Sequence, residues 1–174
     1  MIRRESIAAA IAPAILILIV CARQPAQVSE LGRFPLDNLE GIIQKTDVEM
    51  DTAVSSDGNG AVRISRPEST TVRLFEVGDI DIENARLVYQ ARVRCEALNG
   101  IAYLEMFCHF PGRGEFFSRG LQSTLTGTMD WTTAETTFFF KKGEKPDFIR
   151  LNLVVAGMGT VWIDDIRLLK APLG

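Results

Sequence analysis

The chain has 174 residues, a formal net charge of −3 and a hydrophobic content of 47%. That is enough for one domain with a real core. The near-balanced charge excludes a nucleic-acid footprint, which needs clustered Lys and Arg and a basic balance.

The N-terminus reads as a targeting segment. Arg3 and Arg4 precede an uncharged, largely apolar run from Ile7 to Ala22, and Val20-Cys21-Ala22 supplies a cleavage-site pattern. The run is short for a membrane-spanning helix and contains Pro13. Residues 1–22 are therefore expected to be a cleaved signal peptide, with an uncleaved anchor or a lipid anchor on Cys21 as alternatives. The implied location is exported: periplasmic, extracellular or cell-surface. Membrane contact would come only through an uncleaved N-terminal segment, because the remainder carries a formal charge of −4. Residues 23–33 are polar and unpatterned and read as a tether, leaving a domain over 34–171.

Within that domain no stretch keeps a helical period. Short alternating or apolar runs recur instead: Leu39–Ile43, Asp47–Thr52, Ala61–Ser65, Thr71–Val77, Arg86–Glu96, Ile101–Phe110, Glu115–Arg119, Glu135–Lys141, Phe148–Ala156 and Thr160–Leu169. Turn clusters separate them, among them Asp57-Gly-Asn-Gly60, Asn99-Gly100, Pro111-Gly-Arg-Gly114 and Gly157-Met-Gly159. Many short strands with this spacing predict an all-β fold, an antiparallel β-sandwich or jelly roll.

Two runs are informative in detail. Leu87, Tyr89, Ala91, Val93 and Cys95 alternate with polar residues, as do Leu104, Met106, Cys108 and Phe110. A hairpin at Asn99-Gly100 would set Leu104 opposite Cys95 and Met106 opposite Val93, so both apolar sets face the core. That register separates Cys95 from Cys108, which are expected as buried free thiols. The other face would carry Arg92, Arg94, Tyr103, Glu105, Phe107 and His109. In Phe148–Val155 the same alternation turns Arg150 and Asn152 outward. Trp131 and Trp162 read as core residues, and Phe116-Phe-Ser-Arg119 as a groove rim or an ordinary strand.

The final run, Gly157-Met-Gly-Thr-Val-Trp-Ile-Asp-Asp-Ile-Arg-Leu-Leu169, sets two acids inside an apolar strand. Burying an unpaired carboxylate is expensive. The pair must therefore sit in water at a strand end, meet a cation, or mark a bulge that turns one acid outward.

This Asp-Asp-Ile-x-Leu ending resembles the last strand of secreted carbohydrate-binding modules with the galactose-binding-domain-like jelly-roll fold. Phe34-Pro-Leu-Asp-Asn-Leu-Glu-Gly41 is similar to their first strand, and Asp57-Gly-Asn-Gly-Ala-Val-Arg-Ile64 to a second segment, with Ala61 where many members have Ser. The resemblance spans roughly Phe34 to Lys170. It implies a non-catalytic module whose sheet face binds a glycan or cell-surface polysaccharide. Rings of Tyr103 and Phe107 would stack on the sugar, and Arg92, Glu105, His109, Arg150 and Asn152 would pair with hydroxyls. It also implies a structural Ca²⁺ between first and last strands, held by Asp37 or Glu40 and by Asp164 or Asp165, Asp164 preferred. The bland readings stay open: aromatics covered by Pro111–Gly120, charges in solvated pairs, and an Asp pair capped by a bulge and by Arg167. A structural or protein-binding domain on the same fold is the alternative function. The chain has a single histidine and no nucleophile elbow, so catalysis is not expected.

Overall fold

A computed structural model describes residues 27–173, and the expected signal peptide over 1–22 and the start of the expected tether lie outside the described residues. Within them the protein is all-β, with no helix. Eight strands follow in order: β1 Ser29–Phe34, β2 Val48–Asp51, β3 Ala61–Arg66, β4 Thr70–Gly78, β5 Ala85–Phe110, β6 Gly114–Arg119, β7 Leu125–Phe140 and β8 Phe148–Ala171. All pairings are antiparallel.

The architecture is organised by β5 and β8, which pair with one another over nearly their whole lengths. Each bends midway and so serves two layers, as strands do at the corner of a sandwich. In one half, β4, the start of β8, the end of β5 and β6 lie side by side. In the other half, β1 and β3 flank the end of β8, followed by the start of β5 and then β7, with β2 outside β3. Inward side chains of both halves form a single hydrophobic core.

The hairpin expected at Asn99-Gly100 does not form, and neither does the turn expected at Gly157-Met-Gly159. Gly100 instead pairs with Gly157, within continuous strands. A Cβ on Gly100 would stand 2.2 Å from the Ala156 carbonyl oxygen, and one on Gly157 would stand 2.1 Å from that of Asn99. These glycines let two backbones touch at the bend, where no side chain fits. Leu104 consequently faces Leu153 and Met106 faces Leu151, not Cys95 and Val93.

The expected core face survives this correction. Leu87, Tyr89, Ala91, Val93 and Cys95 are buried, and so are Leu104, Met106, Cys108 and Phe110. A bulge between Glu96 and Asn99, with Ala97 at φ 49°, changes the parity from odd to even. Both thiols are buried and unbridged, and burial pushes Cys108 up to about 12.

Three other expectations are revised. The second part of the 23–33 tether is β1, paired to β8 from Ser29 to Phe34. It lacks an alternating apolar pattern because main-chain bonds, not buried side chains, hold most of it. Leu39–Ile43 is a turn rather than a strand. Leu36 and Gly41 both have positive φ, and Asn38 Oδ1 accepts the Glu40 N–H, a local pattern that competes with a ladder. Trp162 is buried, but outside the central core. Its Nε1 donates to Asp51 Oδ2 at 2.9 Å, and Arg94 lies 5.4 Å over its ring. Trp131 is half-buried and likewise outside the core.

Candidate functional site

Alternation decides which side chains reach the outer face of the first half. Ile149, Leu151 and Leu153 of β8 point inward and are fully buried, so Arg150 and Asn152 point out. In β5, Leu104, Met106 and Cys108 point inward, so Tyr103, Glu105, Phe107 and His109 point out. Register then arranges the outward set in rows across the sheet. Thr71, Val154 and Tyr103 form one row, and Arg73, Asn152, Glu105 and Arg119 the next. Glu76, Arg150, Phe107 and Phe117 follow, then Phe148, His109 and Glu115.

These rows floor an open groove of about 600 Å³, lined by Ile43, Gln44, Thr71, Arg73, Glu105, Phe107, Glu115, Arg150 and Asn152. One rim is the 43–44 segment, whose N–H groups bond to the Leu74 and Arg73 carbonyls. The Pro111–Gly120 stretch does not fold over the face. It turns back as β6 and extends the sheet by one strand.

The polar groups are fixed to one another. Arg119 Nε donates to Glu105 Oε2 at 2.7 Å, and Asn152 Nδ2 donates to Glu105 Oε1 at 3.3 Å. Arg150 bridges Glu76 at 3.5 Å and Glu115 at 3.2 Å. His109 Nδ1 lies 2.7 Å from Asp147 Oδ1, and this hydrogen bond holds the Asp147 carboxyl below its ordinary value. The His109 ring is stacked on Phe148, centroids 4.7 Å apart. Phe107 and Phe117 are 5.9 Å apart, with the Arg119 guanidinium 4.6 Å over the Phe117 ring. Phe117 is 56% exposed, so a flat apolar surface remains available beside the ion pairs.

Of the residues expected in a sugar site, Tyr103, Glu105, Phe107, His109, Arg150 and Asn152 share this face. Arg92 does not. It lies on the other half, opposite Asp164 and Thr133, and its guanidinium donates to Thr133 Oγ1 and to the Trp131 carbonyl. The hairpin expected at Asn99-Gly100 would have put it opposite Phe107. Arg73 and Glu115 were not identified from the sequence, although the alternation of Thr71–Val77 presents Arg73 outward.

The acidic pair at the end of β8 marks a bulge. Asp165 has φ 42°, and the inward set shifts there from Ile163 to Ile166 and Leu168. Asp164 is fully buried. Its Oδ2 accepts from Ser56 N at 2.9 Å and Ser56 Oγ at 2.7 Å, and its Oδ1 accepts from Asp165 N at 2.8 Å. Asp165 accepts from Arg33 Nε at 2.8 Å and from Arg167 Nη2 at 2.7 Å. Asp37 and Glu40 are exposed on the loop after β1. Ca²⁺ takes six to eight oxygens, and two guanidiniums already occupy Asp165. Among the described residues no three metal-ligating side chains converge. Arg33 and Arg167 thus supply the positive charge at Asp165, and both carboxylate oxygens of Asp164 are engaged by Ser56 and the Asp165 N–H.

Solved structures share this fold. The chain matches the CBM22-1–GH10 modules of Clostridium thermocellum endo-1,4-beta-D-xylanase 10B, complexed with xylohexaose, with TM-score 0.61 at 12% identity. That match covers 87% of the chain and 30% of the longer xylanase chain. It matches the CBM22-1 xylan-binding domain from Paenibacillus barcinonensis Xyn10C with TM-score 0.58 at 12% identity, covering 88% of the chain and 100% of that domain. A xylan-binding domain from CBM 22 gives 0.53 at 9% identity, covering 79% of the chain and 94% of the domain. No protein-family model and no curated protein matches the sequence. The likeness establishes the fold: the galactose-binding-domain-like jelly-roll sandwich of carbohydrate-binding modules.

Proposed function

We propose that the chain is a non-catalytic glycan-binding module that holds its ligand on the outer face of β4, β8, β5 and β6. One observation carries the reading: an open groove sets Phe107, paired with the exposed Phe117, beside the hydrogen-bonded Asn152–Glu105–Arg119 set. Sugars present an apolar ring face and a rim of hydroxyls, so rings and planar polar groups are the chemistry that binds them. Glu105 and Asn152 are 5% and 3% exposed and hydrogen-bonded to each other, which pre-organises the hydroxyl-binding side. The groove carboxylates Glu105, Glu76 and Glu115 are each paired with a guanidinium, an arrangement suited to binding rather than turnover. The xylan-binding titles of the structural neighbours support a glycan partner. Residues 1–22 support export to where such polymers lie.

The test is a glycan array with wild type and with Tyr103→Ala and Phe107→Ala. Loss of one stacking ring is expected to weaken binding about tenfold or more. A wild type that binds nothing, or binding that survives both substitutions, would overturn the reading.

A further inference from the structure

The groove has an unbalanced charge at one end. Of its guanidiniums, Arg119 is neutralised by Glu105 and Arg150 by Glu76 and Glu115. Arg73 is not: it is exposed, and among the described residues it has no carboxylate within 4.0 Å. Its cross-strand neighbour on β8 is the amide Asn152, not an acid. Just beyond the rim, Lys45 is also exposed and unpaired among the described residues. The chain places it there because Gln44 N donates to the Arg73 carbonyl. A chain of net negative charge therefore presents two unmatched cations where its groove begins.

We infer that the groove takes an acidic glycan, with the carboxylate of a uronic-acid unit seated against Arg73. This rests on the glycan-binding reading above and narrows its ligand class. Guanidinium and carboxylate are both planar and pair through two parallel hydrogen bonds. Neighbouring strands stand about 4.8 Å apart, so Arg73 on β4 and Phe107 on β5 are separated by roughly 10 Å across the sheet. That exceeds the width of one pyranose. The acidic unit and the ring-stacked unit are therefore different sugars of one chain, the acidic one lying toward Lys45.

The experiment measures binding to glucuronoxylan, polygalacturonate and alginate, each before and after reduction of its carboxyl groups to alcohols. Neutral xylohexaose and a sulfated xylan are further arms, and the proteins are wild type, Arg73→Gln and Phe107→Ala. Carboxyl reduction is expected to weaken wild-type binding to at least one polymer about fivefold, the size of one solvent-exposed charge pair. Arg73→Gln should show the same loss on the acidic form and no change on the reduced form. Equal wild-type affinity for both forms, or an Arg73→Gln loss that persists after reduction, overturns the acidic unit. Tighter binding to sulfated than to carboxylated xylan also overturns it. If neutral xylohexaose binds and Phe107→Ala abolishes that binding while carboxylates make no difference, the glycan reading stands and this inference alone fails. If no glycan in the panel binds, both fall.

Discussion

Asp165→Asn isolates the charge that locks the first strand to the last. The carboxylate joins Arg33 of β1 to Arg167 of β8, and its side chain is only 15% exposed. Asparagine keeps the size and tolerates the left-handed backbone at φ 42°, so only the ionic part is removed. Hydrogen bonds to charged groups contribute about 1.5–3 kcal/mol, but both arginines are well exposed, which brings the expected loss down to about 1–2 kcal/mol. For a domain of this size that lowers the melting temperature by roughly 3–6 °C. Asp165→Ala should lose about 1–2 kcal/mol more, because alanine is strained at positive φ. Burial alone would raise the Asp165 pKa, but the hydrogen bonds and charges of Arg167 and Arg33 outweigh it and hold the group below 3.8. The clamp's stabilisation is therefore complete above the unfolded pKa of about 3.9 and is lost as pH falls through the lower folded value. Thermal melts followed by near-ultraviolet circular dichroism should show a constant gap between wild type and Asp165→Asn from about pH 5 to 8, closing below about pH 4. A chelator should leave both curves in place. The reasoning is refuted if the variant melts with wild type at neutral pH, or if chelation lowers the melting temperature and calcium restores it.

Tyr89 is fully buried, and among the described residues its hydroxyl has no hydrogen-bond partner. Tyr89→Phe should therefore be neutral or raise stability by up to about 1 kcal/mol in urea unfolding, and a clear loss would reveal a hidden partner. Gly157→Ala must push apart backbones that already touch, and a loss of about 3 kcal/mol or more is expected; a loss under 1 would mean the bend is loose. Cys95 and Cys108 have their thiol pKa values raised by burial. Mass spectrometry should find both unlabelled by a thiol reagent at neutral pH in the native protein and labelled after denaturation, with native labelling of either counting against the packing described.

Which residues face inward was legible because period-two alternation is a local property. Leu104 and Met106 are fully buried, while Tyr103 and Phe107 keep some exposure. How the strands connect was not legible. Asn99-Gly100 and Gly157-Met-Gly159 carry the same residue types that make turns, since both a turn and a backbone crossing need a missing Cβ and a positive φ. Only the partner distinguishes them. Each glycine pair is explained by the other, some 57 positions away along the chain, and local sequence contains no trace of that.

The same ambiguity decided which site residues went together. A bulge costs one residue and reverses every side chain beyond it. The bulge at Ala97 keeps the core face continuous along β5, so parity counted on either side of it was sound. Parity is silent, however, on which layer a side chain belongs to. Arg92 and Tyr103 both point away from the core on the same strand, yet the bend at Gly100 puts them on different halves. Arg92 therefore meets Thr133 and Trp131, and Tyr103 stays with Glu105 and Phe107. The floor of the groove comes from β4 and β6 and the halves of β5 and β8 between them, and the 43–44 segment adds one rim. Changes within Tyr103–His109 should accordingly alter ligand binding, while changes at Arg92 or Arg94 should act on stability alone, and a binding defect in Arg92→Gln with an unchanged melt would show that the two layers are coupled.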